Sequence, residues 1–136
     1  MRIVLPLVTI ALLAGCTASP APPETPSPKQ QARLAQLLDG KVAGTPRSCI
    51  PNWRTYNMIA IDDSTLIFQE SPGRLWLQKP KNPCNLISAG PYALVTRDPT
   101  GQLCNGDIAQ VMDTMSRTNV GSCVLGDFVP YARPGS

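Results

Sequence analysis

Residues 65–78 read TLIFQESPGRLWLQ, and this stretch predicts a β-hairpin. Residues 65–68 are dense in side chains that favour strands, and residues 74–78 resume the same composition. Between them, residues 71–73 (SPG) place proline and glycine where a tight turn needs them. We therefore expect two antiparallel strands joined by this turn.

Further short strands are predicted on both sides of this hairpin. Residues 53–61 alternate loosely between polar and apolar side chains and end at the turn-like run Asp62-Asp63-Ser64. Later strands are expected at residues 92–96, 107–113 and 123–128, with residues 130–136 trailing off. Five to six short strands at even spacing are typical of a small antiparallel barrel or sandwich. The expected fold class is therefore mainly β.

One short helix is expected before the strands. Residues 32–42 read ARLAQLLDGKV and place Leu34, Leu37 and Leu38 on one helical face. Gly40 is a suitable residue to end such a helix. We expect the leucine face to dock on the β domain, which gives a domain spanning residues 32–136.

Residues 1–15 (MRIVLPLVTIALLAG) combine a positive start with an apolar run shorter than the ~20 residues of a membrane-spanning helix. The end of this run, with Cys16 after Leu13-Ala14-Gly15, resembles a bacterial lipobox. The resemblance implies that Cys16 is lipidated and becomes the first residue, which would anchor the protein stably to a membrane. The resemblance also implies the outer membrane facing the periplasm, because an aspartate after the lipidated cysteine typically retains such proteins in the inner membrane, and this chain has Thr17 there. The alternative is an ordinary cleaved signal with a cysteine nearby.

The segment from Cys16 to Gln31 is rich in proline, with the sequence CTASPAPPETPSPKQQ. Such a composition cannot bury apolar surface and favours an extended spacer. We expect a lipidated cysteine followed by a tether between the membrane and the domain.

The four remaining cysteines are Cys49, Cys84, Cys104 and Cys123. An even number in an oxidising compartment predicts two disulfides. Three pairings are open, and we favour Cys84–Cys104 nested inside Cys49–Cys123. Structural zinc is the rival interpretation, but no two of these cysteines have the Cys-x-x-Cys spacing typical of such sites.

Composition excludes several kinds of chemistry. The chain contains no histidine, which excludes Ser-His-Asp and Cys-His catalysis and imidazole metal ligands. The formal net charge is +3, but the basic residues are scattered and form no cluster for nucleic acid. We expect no nucleic-acid partner, no metal and no cofactor.

Two segments echo each other, residues 103–108 (LCNGDI) and 122–128 (SCVLGDF). One interpretation is a duplicated site in which Asp107 and Asp127 hold a cation. The other is a pair of turns beside disulfides, in which glycine adopts a positive φ and aspartate accepts bonds from local amides. We favour the turns, because calcium typically takes 6 to 8 oxygen ligands.

Five stretches share a pattern of turns and cysteines: CIP at 49–51, DDSTLIF at 62–68, GRLWL at 73–77, LCNGD at 103–107 and CVLGDFVPY at 123–131. Together they resemble a domain-of-unknown-function family of small exported proteobacterial proteins, and the similarity spans most of residues 38–131. The resemblance implies the limits of the domain and an envelope location, and it carries no functional residue.

The preferred functional hypothesis is a lipid-anchored, non-enzymatic module that binds or supports another envelope component. Aromatic residues are frequent in interface hot spots, although Trp76 and Phe128 are equally well explained as core residues. The sequence leaves the ligand, the protein partner and the oligomeric state open. The candidates for a contact patch are Trp53, Trp76, Tyr92 and Phe128.

Two alternatives belong to other classes. One is an inhibitor of an envelope-attacking hydrolase such as lysozyme. The other is a hydrolase that uses a pair of carboxylates held about 5 to 10 Å apart. Adjacent Asp62 and Asp63 would point to opposite faces of a strand, so turn-capping explains them better. The candidate carboxylates are Asp62, Asp63, Asp107, Asp113 and Asp127.

Overall fold

The computed structural model describes residues 25–51 and 53–135, so the predicted signal and Cys16 lie outside the described part. Within these ranges, one α-helix precedes ten strands, and a 3₁₀ turn at Trp53–Thr55 lies between the second and third strands. The elements are α1 (Pro28–Leu38), β1 (Val42–Ala43), β2 (Cys49–Pro51), β3 (Asn57–Asp62), β4 (Thr65–Ser71), β5 (Arg74–Gln78), β6 (Tyr92–Thr96), β7 (Gln102–Cys104), β8 (Ile108–Asp113), β9 (Asn119–Val124) and β10 (Phe128–Ala132).

All the strand pairs are antiparallel, and they form three sheets. The largest has the order β1-β10-β5-β4-β3, the second pairs β2 with β7, and the third has the order β6-β8-β9. The mainly β class is confirmed, and so is the hairpin, since β4 pairs with β5 across the Ser71–Arg74 turn.

The C-terminal strand was predicted wrongly. Residues 125–127 interrupt the expected strand at 123–128, and residues 128–132 form β10 instead of a trailing tail. The carbonyl of Pro130 faces the β1 side, and the N–H of a residue in a strand points the same way as its carbonyl. Proline therefore lacks an N–H only on the side of β1, which has just two residues, so it is tolerated there. Gly44 donates to the Pro130 carbonyl from just beyond β1, at 2.8 Å.

The five-stranded sheet buries both of its faces. One face contributes Leu66, Phe68, Trp76 and Phe128 to a core that it shares with residues of the other two sheets: Ile50, Leu103, Ala109 and Val111. The opposite face carries Ile61, Ile67 and Leu75. The period of two along a strand explains this division, because successive side chains point to opposite faces.

The helix covers the second face. Leu34, Leu37 and Leu38 pack on it, as predicted. The helix begins at Pro28 instead of residue 32, because Ser27 and Gln30 form a capping box and proline suits the first helical position. Residues 28–31, which the sequence had assigned to the tether, therefore belong to the helix.

Two disulfides are present, but the favoured pairing is wrong. Cys49 is bonded to Cys104, and Cys84 is bonded to Cys123. Cys49 and Cys104 are direct neighbours in the pairing of β2 with β7, so the strand register brings these two cysteines together. The two bridges interlace along the chain and are not nested.

Candidate binding site

The core face of the five-stranded sheet ends near the turn between β4 and β5. Phe68, Trp76 and Pro130 form its last apolar row, since they are neighbours in the strand register. The next row holds Arg74 and Ala132, and Val42 continues it on β1. A groove of about 400 Å³ lies here, lined by Val42, Gly44, Ser71, Gly73, Arg74, Pro130 and Ala132.

Polar side chains surround Trp76 at the end of this row. The indole Nε1 of Trp76 donates to Glu70 Oε2 at 3.3 Å. The same oxygen lies 3.3 Å from Arg74 Nε in an ion pair. Arg74 Cζ is 5.6 Å from the centroid of the indole, and Arg47 Cζ is 5.9 Å from it. Trp76 is only 2 % exposed, so its ring forms a fixed support for two guanidinium groups.

We call Arg47, Tyr56, Glu70, Arg74 and Trp76 the Trp76 cluster. Burial and, after it, the charge of Glu70 raise the pKa of the Tyr56 hydroxyl above its usual value of 10.0. Tyr56 is therefore neutral at physiological pH, and the cluster contains two positive groups and one negative group. Among the residues described, Arg47 has no carboxylate within ion-pair distance. The cluster therefore carries excess positive charge.

Local backbone structure places Arg47 beside the indole. Its N–H donates to the Phe128 carbonyl at 2.8 Å, and the Phe128 N–H donates back to the Arg47 carbonyl at the same distance. Gly44 lines the groove and packs closely on Pro130, because a Cβ at residue 44 would lie 3.0 Å from Pro130 Cγ. A flat guanidinium above an aromatic support suits recognition of a carboxylate or a phosphate group.

The predicted aromatic contact patch is not assembled. Trp76 and Phe128 belong to the main core, which confirms the core interpretation of both. Trp53 and Tyr92 are partly buried and pack against the same core. The four aromatic residues therefore stabilise the domain instead of presenting a common exposed surface.

Asp62 and Asp63 cap turns, as predicted. Asp62 Oδ1 accepts from the backbone N–H of Ser64 at 2.7 Å. Asp63 accepts from the backbone N–H groups of Leu86 and Ser88, at 2.9 and 3.1 Å, and from the Ser88 hydroxyl at 2.7 Å. Asp63 thus holds the loop that carries buried Cys84.

The other candidate carboxylates also accept nearby bonds. Asp107 accepts from the Cys104 N–H at 2.7 Å, and Asp127 accepts from the side-chain amide of Asn105 at 2.7 Å. Bonds donated by the N–H groups of Ser116 and Met115 lower the pKa of Asp113. Within the described ranges, no group of three or more acidic or cysteine side chains is placed to hold a metal ion.

The two echoed segments are turns of different kinds. Gly106 has a φ of 93°, which confirms the expected left-handed glycine in the first segment. The φ of Gly126 is not positive, but a side chain there would clash with the carbonyl oxygen of Lys79. Glycine is needed in the second segment for close packing and not for backbone freedom.

The Trp76 cluster was not predicted from the sequence, and neither Arg47 nor Glu70 was expected to be a binding residue. A signal was present in the hairpin: Glu70 and Arg74 flank the turn at residues 71–73, so a tight hairpin brings their opposite charges together. The position of Arg47 depends on its distant contact with Phe128, which no local pattern indicates.

No family model, curated protein or solved structure matches the chain. The resemblance to a family of exported proteins therefore stays a prediction. In the described ranges, α1 is too short and too polar to cross a bilayer, and no other helix qualifies.

Proposed function

We propose that this protein is a lipid-anchored, non-enzymatic binding module of the bacterial cell envelope, attached to the outer membrane through Cys16. Its binding surface is the groove next to the Trp76 cluster. The ligand carries a carboxylate or phosphate group, which are the anionic groups that arginine recognises best.

The observation that carries the binding role is the charge imbalance over one buried ring. Arg47 and Arg74 share the indole of Trp76, while among the described residues only Glu70 places a carboxylate beside the indole and Arg74. The ion pair between Arg74 and Glu70 also orients Arg74 at the edge of the groove. Arg74 lines the groove and Arg47 contacts the same indole, so an anion bound beside Arg74 would offset the excess positive charge of the cluster.

The disulfides support the envelope location. Cys84 and Cys123 are 0 % and 1 % exposed, so their bridge is part of the core. Disulfides of this kind persist in oxidising compartments and are rare in the cytosol. The lipobox-like sequence before Cys16 gives the same compartment from an independent part of the chain.

The engagement of the carboxylates supports a non-catalytic role. A general acid or base needs a carboxylate that is free to contact a substrate. Asp62, Asp63, Asp107 and Asp113 each accept backbone N–H groups within turns or loops. These bonds hold the four carboxylates in their turns and loops and leave fewer of their oxygens free to contact a substrate.

Two measurements test the proposal. Intact mass spectrometry of protein extracted from membranes should show acyl chains on Cys16, and reduction should add the mass of two hydrogens for each bridge. A Cys16→Ser variant should lack the acyl mass. A cytosolic product with an unprocessed N-terminus and free thiols would contradict the location.

The binding role is tested by titrating the ¹⁵N-labelled protein with inorganic phosphate and, separately, with acetate. The indole N–H signal of Trp76 should shift in a saturable way, whereas that of Trp53, which lies outside the cluster, should not. An unchanged Trp76 signal at high anion concentration would rule out the groove as an anion site.

A further inference from the structure

The edge strand β6 presents an unprotected row of backbone groups. It lies at the end of the sheet order β6-β8-β9 and, within residues 25–51 and 53–135, pairs with β8 alone. Its sequence, YALVT, has no charge, proline or glycine and is rich in residues with high β-propensity. Natural proteins usually protect such edges, because an open edge pairs readily with another strand.

The direction of the free groups follows from the register. Thr114 donates its N–H to the Pro91 carbonyl at 3.0 Å, one position before the first pair, Tyr92 with Asp113. Hydrogen-bonded pairs alternate along an antiparallel ladder. The backbone groups of Ala93 and Val95 therefore face β8, and those of Leu94 and Thr96 face away from it.

These outward groups have no partner in the part of the chain that the structure describes. Among the described residues, no backbone group outside the strand ladders accepts from the N–H, or donates to the carbonyl, of Leu94 or Thr96. The Tyr92 carbonyl is also free, although its N–H donates to Gly90 at 2.8 Å.

The opposite edge of the same sheet is covered. The side chain of Asn82 donates to the Ser122 carbonyl at 3.3 Å and accepts from the Val124 N–H at 2.9 Å. Lys81 donates its N–H to the Val124 carbonyl at 2.8 Å. Residues 81 and 82 thus bond three outward groups at the end of β9, the Ser122 carbonyl and both backbone groups of Val124, whereas no described residue bonds the outward groups of Leu94 and Thr96 on β6.

We propose that β6 pairs with β6 of a second copy of this chain in a two-fold, antiparallel arrangement. Centred on Leu94, this register lets Leu94 exchange both backbone bonds with Leu94 of the second copy. Thr96 then donates to the Tyr92 carbonyl of the second copy. The two three-stranded sheets become one continuous sheet.

The composition of β6 favours a second copy as the partner. An uncharged strand meets no like charge when it pairs with itself, and a two-fold axis makes the same surface self-complementary. The register places Arg97 opposite Pro91 of the second copy, so the two copies of Arg97 do not face each other. Tyr92 lies opposite Thr96 of the second copy, an aromatic and β-branched pair of the kind that stabilises sheets.

The outer face of the sheet contributes apolar contact. Val95 is 42 % exposed and Ile108 is 64 % exposed, although both are β-branched and apolar. In the paired arrangement Val95 lies beside Ala93 of the second copy and loses part of this exposure. The buried contact area is small and lies at the low end of the range for specific interfaces, so the dimer is weak.

The test uses the chain from residue 16 onward, in which Cys16→Ser removes the proposed lipid attachment. Sedimentation equilibrium from about 10 µM to about 1 mM should show an average mass that rises towards that of a dimer. Hydrogen exchange across the same range should slow at the amides of Leu94 and Thr96. The amides of Ala93 and Val95 should not change, because β8 already protects them.

Two edge variants and one control separate strand pairing from general association. Val95→Lys adds a charge to the edge, and Thr96→Pro removes an outward N–H without touching the ladder to β8. Both should stay monomeric. Ile108→Lys places the same charge on the same face but on the middle strand, and it should still dimerise.

The proposal is overturned if the average mass stays that of a monomer at every concentration. It is equally overturned if Ile108→Lys abolishes association as fully as Val95→Lys, or if exchange slows outside β6 only. None of these results bears on Cys16 or on the Trp76 cluster, so the proposed function stands or falls separately.

Discussion

Cys49 lies directly opposite Cys104 in the ladder of β2 and β7, and their disulfide closes a separation of 55 residues. The other bridge closes 39 residues. In the chain-entropy account, each bridge is worth about 4 kcal/mol of stability. The two differ in their surroundings, because Cys49 and Cys104 are half-buried whereas Cys84 and Cys123 are buried.

This difference predicts unequal losses of stability. The double variant Cys84→Ala/Cys123→Ala should lose more free energy of unfolding than Cys49→Ala/Cys104→Ala, because it also removes buried atoms from the core. We expect losses of about 4 to 5 kcal/mol and about 2 to 4 kcal/mol respectively. Urea denaturation of both variants measures the difference, and equal losses would show that core packing around Cys84 adds nothing.

Close packing at Gly126 predicts a second effect. Gly126→Ala should lower the free energy of unfolding by about 1 to 3 kcal/mol, since the new Cβ clashes with the Lys79 carbonyl. Gly73→Ala is the matched control, because a Cβ there meets nothing within 4 Å. Thermal denaturation should leave the control within about 1 kcal/mol of the parent. An unchanged stability in Gly126→Ala would mean that the backbone at Lys79 moves away from residue 126 at little cost.

The capping box predicts that Ser27 stabilises the start of the helix. Ser27→Ala should cost about 1 kcal/mol, because Gln30 loses the acceptor for its backbone N–H. Hydrogen exchange at the first turn of α1 measures the effect locally. Ser64→Ala provides a comparison at a residue that accepts no helical bond, and equal effects on α1 exchange would argue against the cap.

Two aspartates predict how stability responds to acid. The Thr100 hydroxyl lowers the pKa of Asp98, and backbone N–H groups of Ser116 and Met115 lower that of Asp113, each below its usual value of 3.8. A pKa that is lower in the folded state means that the stabilisation is present above the unfolded value and is lost as the pH falls through the folded one.

The carboxyl signals of Asp98 and Asp113 should therefore titrate below pH 3.8 in an NMR experiment. Stability should be level above about pH 5 and fall below about pH 4. In Asp113→Asn this dependence should be weaker. A titration midpoint above the usual value for either residue would refute the assignment of the turn bonds.

The Trp76 cluster predicts opposite effects of two neutralising substitutions. Arg47→Gln should weaken the binding of inorganic phosphate roughly two- to fivefold, as expected for about 0.5 to 1 kcal/mol at an exposed charge. Glu70→Gln should strengthen it, because a negative charge leaves the cluster. Lys29→Gln on α1 has the same change in net charge as Arg47→Gln and should have no effect. Equal weakening by Lys29→Gln would indicate a nonspecific effect of net charge.

Local signals predicted the elements well. The hairpin of β4 and β5 depends on the turn at residues 71–73, and the helix face depends on the spacing of its leucines, so each is encoded within a few residues. The start of the helix was misplaced because the prolines around residue 28 indicated an extended spacer, whereas proline also suits the first helical turn.

Non-local register explains what the sequence did not predict. Cysteine spacing holds no information on which strands become neighbours. The bond between Cys49 and Cys104 follows from the pairing of β2 with β7, which the spacing does not indicate. Proline at residue 130 is unfavourable within a strand, but its lack of an N–H falls on the side of the short strand β1, where few bonds are lost. The Trp76 cluster depends on Arg47, which reaches the indole through a single bridge to Phe128.

The interlaced bridges bear on how the protein withstands proteases. Any single cut between residues 50 and 122 leaves the two fragments covalently linked, because at least one bridge spans every such position. A nicked molecule would keep its mass on a non-reducing gel and would separate into fragments only after reduction. Residues 17 to 27 precede both the helix and the first bridged cysteine, so in the proposed lipoprotein one cleavage there releases the whole cross-linked domain from the bilayer.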